Sequence, residues 1–200
     1  MKKKFFIQFI LLLFVSLVST KSYAYSNDPK QFITEIVAEA KEILNSNLDK
    51  NSKSKKLGEI ALKTVDIKGI AYYTLGNYRK NLEGEIKQKY LDLFEKYFLK
   101  SFTSRLTDHS NPKIDVLEAQ VLNPKYTIIK SVLLATSERP EIKIDWRVYT
   151  KDPNKLLIRD LSIEGLSLAR TQKEEFAAIL ESNNGEISEL FVKLEEFINK

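Results

Sequence analysis

The sequence predicts an α+β domain in which helices precede and follow one antiparallel sheet. Three observations lead there. Apolar residues recur at helical spacing from Phe32 to Leu106. Four runs with strand character follow between Ile114 and Ile163, joined by connections too short for parallel crossovers. Helical spacing then returns from Leu168 onward.

Each element has its own signature. Asp28-Pro29 opens the first helix, because aspartate is a good N-cap and proline fits the first helical position. Phe32, Ile33, Ile36, Val37, Ala40, Ile43 and Leu44 follow at helical spacing. Asn45 to Lys56 is polar and basic and reads as a loop and helix entry, and Leu57, Ile60, Ala61 and Val65 mark a short second helix. Asp66 caps a third that ends at Gly76, where glycine suits the position just past a helix. The fourth and longest spans about Glu83 to Asp108. Its apolar residues, from Ile86 and Tyr90 through Phe94, Tyr97, Phe98 and Phe102 to Leu106, cover an arc of about 240° at roughly 100° per residue, far wider than one stripe. Such a helix is buried on most sides or faces something apolar besides the core.

The strand runs are Ile114–Leu122, Tyr126–Thr136, Ile142–Thr150 and Leu156–Ile163, separated by Asn123-Pro124, Arg139-Pro140 and Asp152-Pro153-Asn154. The third alternates cleanly, with Ile142, Ile144, Trp146 and Val148 on one side and Lys143, Asp145, Arg147 and Tyr149 on the other. The second carries apolar groups on both sides: Ile128, Val132 and Leu134 at even positions, Ile129 and Leu133 at odd ones. Either that strand is covered twice in a solid core, or sheet and wide-arc helix enclose an apolar cavity; the pattern leaves both open. Two helices close the chain, about Leu168 to Glu181 and from Ile187 on, with Asn183-Asn184-Gly185 between them.

The first 24 residues carry three early lysines, an apolar run from Phe5 to Val18 and then Ser22-Tyr23-Ala24, the arrangement of a secretory signal cleaved after Ala24. The run is short for a bilayer span. These residues hold four lysines and no acid, so of 32 bases 28 remain against 27 acids, a net +1 for residues 25–200. The basic character of the whole chain therefore comes from the leader and gives no argument for nucleic acid. Residues 25–200 suit one domain, large enough to fold without staples, and there is no cysteine. An exported, cysteine-free protein fits a bacterial periplasm.

No motif proposes catalysis: there is no Gly-x-Ser-x-Gly elbow, P-loop or Gly-x-Gly-x-x-Gly. His109 stands alone, which suits a loop or helix-end histidine and not a metal site. Asp145 and Asp160 form a possible carboxylate pair for an enzyme acting on an apolar molecule in a cone-shaped pocket, or belong to a solvated face. The basic run Lys50, Lys53, Lys55 and Lys56 reads as a solvated helix entry.

One junction is more particular. Asp160-Leu161-Ser162-Ile163-Glu164-Gly165-Leu166-Ser167-Leu168, followed by Phe176, resembles the late segment of the MlaC family of periplasmic phospholipid-binding proteins. VDIKGIAYYTLGNYRK (65–80), EIKQKYLDLFEKYFLKSF (85–102) and IKIDWRVY (142–149) are similar to three further segments of that family, in the same order. The resemblance implies a strongly curved four-stranded meander packed with about six helices around an apolar lipid cavity. It also implies a soluble periplasmic monomer without enzymatic activity or cofactor. Such a carrier moves phospholipid between an outer-membrane lipoprotein complex and an inner-membrane MCE-domain ABC transporter. The alternatives are the apolar-pocket enzyme and an interaction module with a solid core. On the family reading, the residues expected to touch lipid tails are Phe94, Tyr97, Phe98 and Phe102 on the long helix, with Val132, Leu134, Ile144, Trp146, Leu161 and Ile163 on the strands. Gly165 lets the last strand turn into the helix, Ser167 caps it, and Glu164 holds a backbone amide or a basic group.

Overall fold

Four of the six α-helices among the described residues begin the same way. Asp28, Asp49, Asp66 and Ser167 each place a side-chain oxygen on the backbone N–H three residues on, at 2.8, 3.0, 3.0 and 3.1 Å. A bond of this kind contributes about 1 kcal/mol to a helix terminus. The computed structural model describes residues 24–200 except 109–111 and 138, so the predicted leader up to Tyr23, and His109, lie outside the described residues. In chain order the helices are α1 (Pro29–Asn45), α2 (Lys50–Thr64), α3 (Ile67–Thr74), a 3₁₀ segment (Gly76–Asn81), α4 (Gly84–Thr107), α5 (Leu168–Ser182) and α6 (Ile187–Asn199). Gly76 follows α3 with φ of 56°, a left-handed turn that ends the helix without the steric cost a side chain brings.

The second helix is longer than its hydropathy indicates. Its first turns are lysine and serine, and the Asp49 cap, not an apolar repeat, sets where it starts. Lys50 meets Asp108 at 2.7 Å and Lys53 donates to the Leu44 carbonyl at 2.8 Å, so two lysines of the basic run tie α2 to the ends of α4 and α1.

Between α4 and α5 runs an antiparallel meander: β1 (Ile114–Asn123), β2 (Tyr126–Leu133), β3 (Ile142–Tyr149), β4 (Leu157–Ile163) and β5 (Leu166–Ser167), adjacent in that order. The fifth strand is additional to the four predicted. Glu164 and Gly165 both have positive φ, 50° and 81°, the backbone of a two-residue hairpin turn, so the chain doubles back for two residues before α5 starts. Glu164 completes the turn: its N–H donates to the Lys143 carbonyl at 3.0 Å, and its Oε1 accepts from the Lys143 N–H. The other half of the β4 edge is met by Val65 and Asp66, the latter donating to the Ile158 carbonyl at 2.9 Å.

Register assigns the faces. Ile129, Trp146 and Leu161 lie directly across from one another, as do Ser131, Ile144 and Ile163, and they define the inner face. Tyr126, Lys130, Lys143, Asp145, Arg147 and Asp160 belong to the outer face. On β2 the inner residues Thr127, Ile129 and Ser131 are buried, while Ile128 and Val132 on the outer side are half-buried. That strand is therefore covered unequally, and two polar groups occupy its buried side. An irregularity in β4 pairs Arg147 with Asp160 but Val148 with Ile158, leaving Arg159 as an extra, re-aimed residue.

Two apolar clusters support the fold. One joins the inner face to α1 and α2 through Phe32, Ile33, Ile36, Ile60, Ile129 and Val148. The other lies among α3, α4, α5 and α6, around Leu75, Tyr90, Phe94, Phe176, Leu180 and Leu190. Tyr90 is fully buried, its hydroxyl donating to the Ala71 carbonyl at 3.0 Å and lying 2.9 Å from Thr74 Oγ1; burial raises its pKa. Among the described residues no helix is long and apolar enough to cross a membrane.

Candidate functional site

α4 explains its wide apolar arc by serving two surroundings. Tyr90, Leu93 and Phe94 are buried in the helical cluster. Tyr97 faces the same way, 6.0 Å from Phe176 and 4.9 Å from Phe197, and its hydroxyl donates to Gln172 at 2.6 Å. From Phe94 an aromatic ladder at i, i+4 spacing leaves this cluster: Phe94 to Phe98 at 6.4 Å, then Phe98 to Phe102 at 5.9 Å with planes only 7° apart. Phe98 and Phe102 are half-buried.

The principal neighbours of α4 are α2, α6 and α3, and no strand is among them. The longest helix thus packs mainly on other helices, and each of the two clusters has a rim of incompletely covered apolar groups. On the sheet that rim is Trp146 and Leu161, half-buried, and Ile163, 36% exposed, all on the inner face, with Ile144 buried beside them. Among the ten predicted residues, register therefore brings Ile144, Trp146, Leu161 and Ile163 together, and the ladder brings Phe94, Phe98 and Phe102 together. Val132 is opposite Lys143 on the outer face, and Leu134 lies one residue beyond β2, its N–H donating to the Lys113 carbonyl at 2.8 Å. These two do not join the others.

Trp146 is fixed in place by polar bonds beneath an apolar surface. Its Nε1 donates to Ser131 Oγ at 2.8 Å, and Ser131 Oγ donates to the Ile144 carbonyl at 3.1 Å. The indole is left with its ring for contact. No ionisable side chain is among Phe98, Phe102, Ile144, Trp146, Leu161 and Ile163. Chemically this set takes hydrocarbon.

Asp160, the other half of the proposed carboxylate pair, is a structural cap. It accepts from the N–H groups of Leu161 and Ala169 at 2.9 and 3.0 Å and from the Ser167 hydroxyl at 2.6 Å, tying β4 to the start of α5. Among the described residues no group of three or more His, Cys, Asp and Glu is placed to hold a metal ion. A cavity of about 310 Å³, which sequence reasoning missed, lies on the outer face, bounded by α3, the start of α5 and the strands. Its arginines come from positions 147, 159 and 170, and only strand pairing and the irregularity at Arg159 put them together.

Comparison with known proteins bears on this arrangement. The family model described as "MlaC protein" matches residues 30–196. A phospholipid-binding protein from Ralstonia solanacearum, solved in complex with a phospholipid, superposes with a TM-score of 0.71 at 20% identity, covering 84% of this chain and 94% of that one. No curated protein is significantly similar.

Proposed function

The chain belongs to the MlaC family, and on that premise we propose that it is a periplasmic phospholipid carrier that holds its ligand by the acyl chains. The observation that carries the reading is a pair of incompletely covered apolar patches: an aromatic ladder leaving one apolar cluster and an inner-face patch at the rim of the other. The tail-contacting residues are Phe98 and Phe102 on α4 and Ile144, Trp146, Leu161 and Ile163 on the sheet, with Phe94 and Tyr97 anchoring the helix side. The phospholipid bound by the Ralstonia protein of the same fold supports the choice of ligand.

The energetics favour such a grip. Each buried CH₂ contributes about 0.8 kcal/mol, so two acyl chains supply well over 20 kcal/mol of gross driving force before the costs of ordering. The headgroup keeps its water, which avoids burying an unpaired charge. A carrier of this kind needs no catalytic group. On this reading the leader is removed after Ala24, residues 25–200 act as one monomeric domain, and lipid passes between an outer-membrane lipoprotein complex and an inner-membrane MCE-domain ABC transporter.

The test is direct. Protein expressed with export in bacteria and purified without detergent is extracted with organic solvent, and the extract is analysed by mass spectrometry. Stoichiometric phospholipid is expected. Protein that is repeatedly lipid-free and takes up none from vesicles would overturn the reading.

A further inference from the structure

The outer-face cavity is chemically unlike the apolar rim. Three arginines, Arg147, Arg159 and Arg170, are among the residues lining it, beside Tyr73 and Tyr126. The carboxylates nearby are already engaged. Asp66 accepts from Arg159 Nε at 2.7 Å. Asp160 accepts from Leu161, Ala169 and Ser167, none of them an arginine. Arg147 is opposite Asp160 in register, yet among the described residues neither Arg147 nor Arg170 has a carboxylate within ion-pair range. Arg147 instead rests 5.9 Å from the centre of the Tyr126 ring.

Arg159 supplies a fixed base. Asp66 holds its Nε, the Tyr126 hydroxyl accepts from Nη1 at 2.9 Å, and the Tyr149 ring lies 3.9 Å beneath the guanidinium. Its plane is therefore set before any ligand arrives, with N–H groups left over. Arg147 and Arg170 are exposed, which leaves both free to turn toward an anion held by the fixed Arg159, and three like charges at one concave site favour such an anion. Planar arginine forks match the oxygens of a phosphate, and three of them exceed what one carboxylate's two oxygens can use. The cavity's 310 Å³ is at the small end of organic-ligand sites, more than an inorganic ion fills.

We propose that this cavity binds a phosphate group carrying an organic substituent, through Arg147, Arg159 and Arg170. Two sources share that chemistry, a soluble phosphate ester and a phospholipid headgroup presented by a membrane. The site is on the opposite sheet face from Trp146 and Leu161, so it does not rest on the carrier reading.

The experiment titrates the exported protein with glycerol 3-phosphate, following the Ala169 and Arg170 amides by NMR. In parallel the protein is co-sedimented with vesicles of phosphatidylcholine, with and without phosphatidylglycerol. The comparison variant is Arg147→Gln/Arg170→Gln, which leaves the Asp66–Arg159 pair intact. Saturable binding, weakened at least about tenfold in the variant, is expected. Loss of glycerol phosphate binding assigns the site to a soluble ester; loss confined to phosphatidylglycerol vesicles assigns it to a headgroup. Absence of both kinds of binding, or a variant that loses neither glycerol phosphate binding nor the phosphatidylglycerol-dependent part of vesicle binding, overturns the proposal. Phospholipid content after purification is unchanged in the variant, so failure of this site and failure of the carrier reading are separate results.

Discussion

Trp146 and Ser131 are joined across β2 and β3 by an indole N–H···Oγ bond of 2.8 Å, and Ser131 passes the connection on to the Ile144 carbonyl. Ser131 is 2% exposed, so its hydroxyl has no access to water as a substitute partner. Ser131→Ala leaves the indole N–H without its acceptor and costs about 1–3 kcal/mol. Urea unfolding followed by fluorescence measures this cleanly, because Trp146 is the only tryptophan in the sequence. A midpoint equal to wild type would remove this bond from the account of why the indole is oriented.

The same indole reports occupancy. If acyl chains cover it, delipidated protein shows an emission maximum that shifts to shorter wavelength when phospholipid vesicles are added. Phe102→Gln and Leu161→Gln reduce co-purified phospholipid several-fold while lowering stability by less than about 1.5 kcal/mol, since both positions are half-buried. Phe94→Ala does the opposite: at 1% exposure it costs about 3–5 kcal/mol of stability whatever the lipid does. Thermal melts with lipid quantification on the same samples separate the two classes.

Asp66 has two duties, capping α3 at Gly69 and pairing with Arg159. Asparagine keeps a good cap and gives up the charge, whereas alanine gives up both. Asp66→Ala is therefore expected to be less stable than Asp66→Asn by about 1 kcal/mol, read as a difference in unfolding free energy. Equal losses would show that capping at this position contributes nothing.

Asp49 gives a pH prediction with a definite sign. Hydrogen bonds from the Ser52 hydroxyl and backbone N–H stabilise its ionised form and hold its pKa below the usual 3.8. A folded pKa below the unfolded one means the contribution is present above the unfolded value and is lost as pH falls through the folded value. The Ser52 amide resonance should titrate with a midpoint under 3.8, and the start of α2 should fray below it. Asp49→Ala should abolish the titration.

Gly165 and Gly69 separate two reasons for glycine. A Cβ at Gly165 meets nothing within 4 Å, so Gly165→Ala carries only the cost of φ at 81°, about 1–2 kcal/mol. A Cβ at Gly69 stands 2.3 Å from Asp66 Oδ2, so Gly69→Ala displaces the α3 cap and the partner of Arg159. Gly69→Ala is expected to change Arg159 side-chain resonances, Gly165→Ala to leave them in place.

Much of the fold was legible because its signals are local. Asp28, Asp66 and Ser167 announce their helices within a few residues, Gly76 ends one, and the cleanly alternating third strand fixes its own faces. The second helix was underestimated because its opening turns are polar and Asp49 carries the information. The fifth strand was missed because two residues have no periodicity; only the paired positive φ values of Glu164 and Gly165 make it. The faces of β2 could not be assigned from hydropathy, since Thr127 and Ser131 are on the buried side. The arginine cavity depends on register and on one extra residue in β4, neither of which is encoded in spacing along the chain.

The treatment of the β4 edge has a consequence for self-association. Val65 and Asp66 occupy one half of it and β5 the other, so no second molecule can add a strand there. The opposite border is β1, long and largely exposed, with Leu117, Val121 and Leu122 uncovered. An interruption of its pairing at Leu117 and the charges of Asp115 and Glu118 make it a poor template for fibril-like growth. Any polymerisation by strand addition is thus restricted to a single border, which yields pairs of molecules rather than endless ribbons.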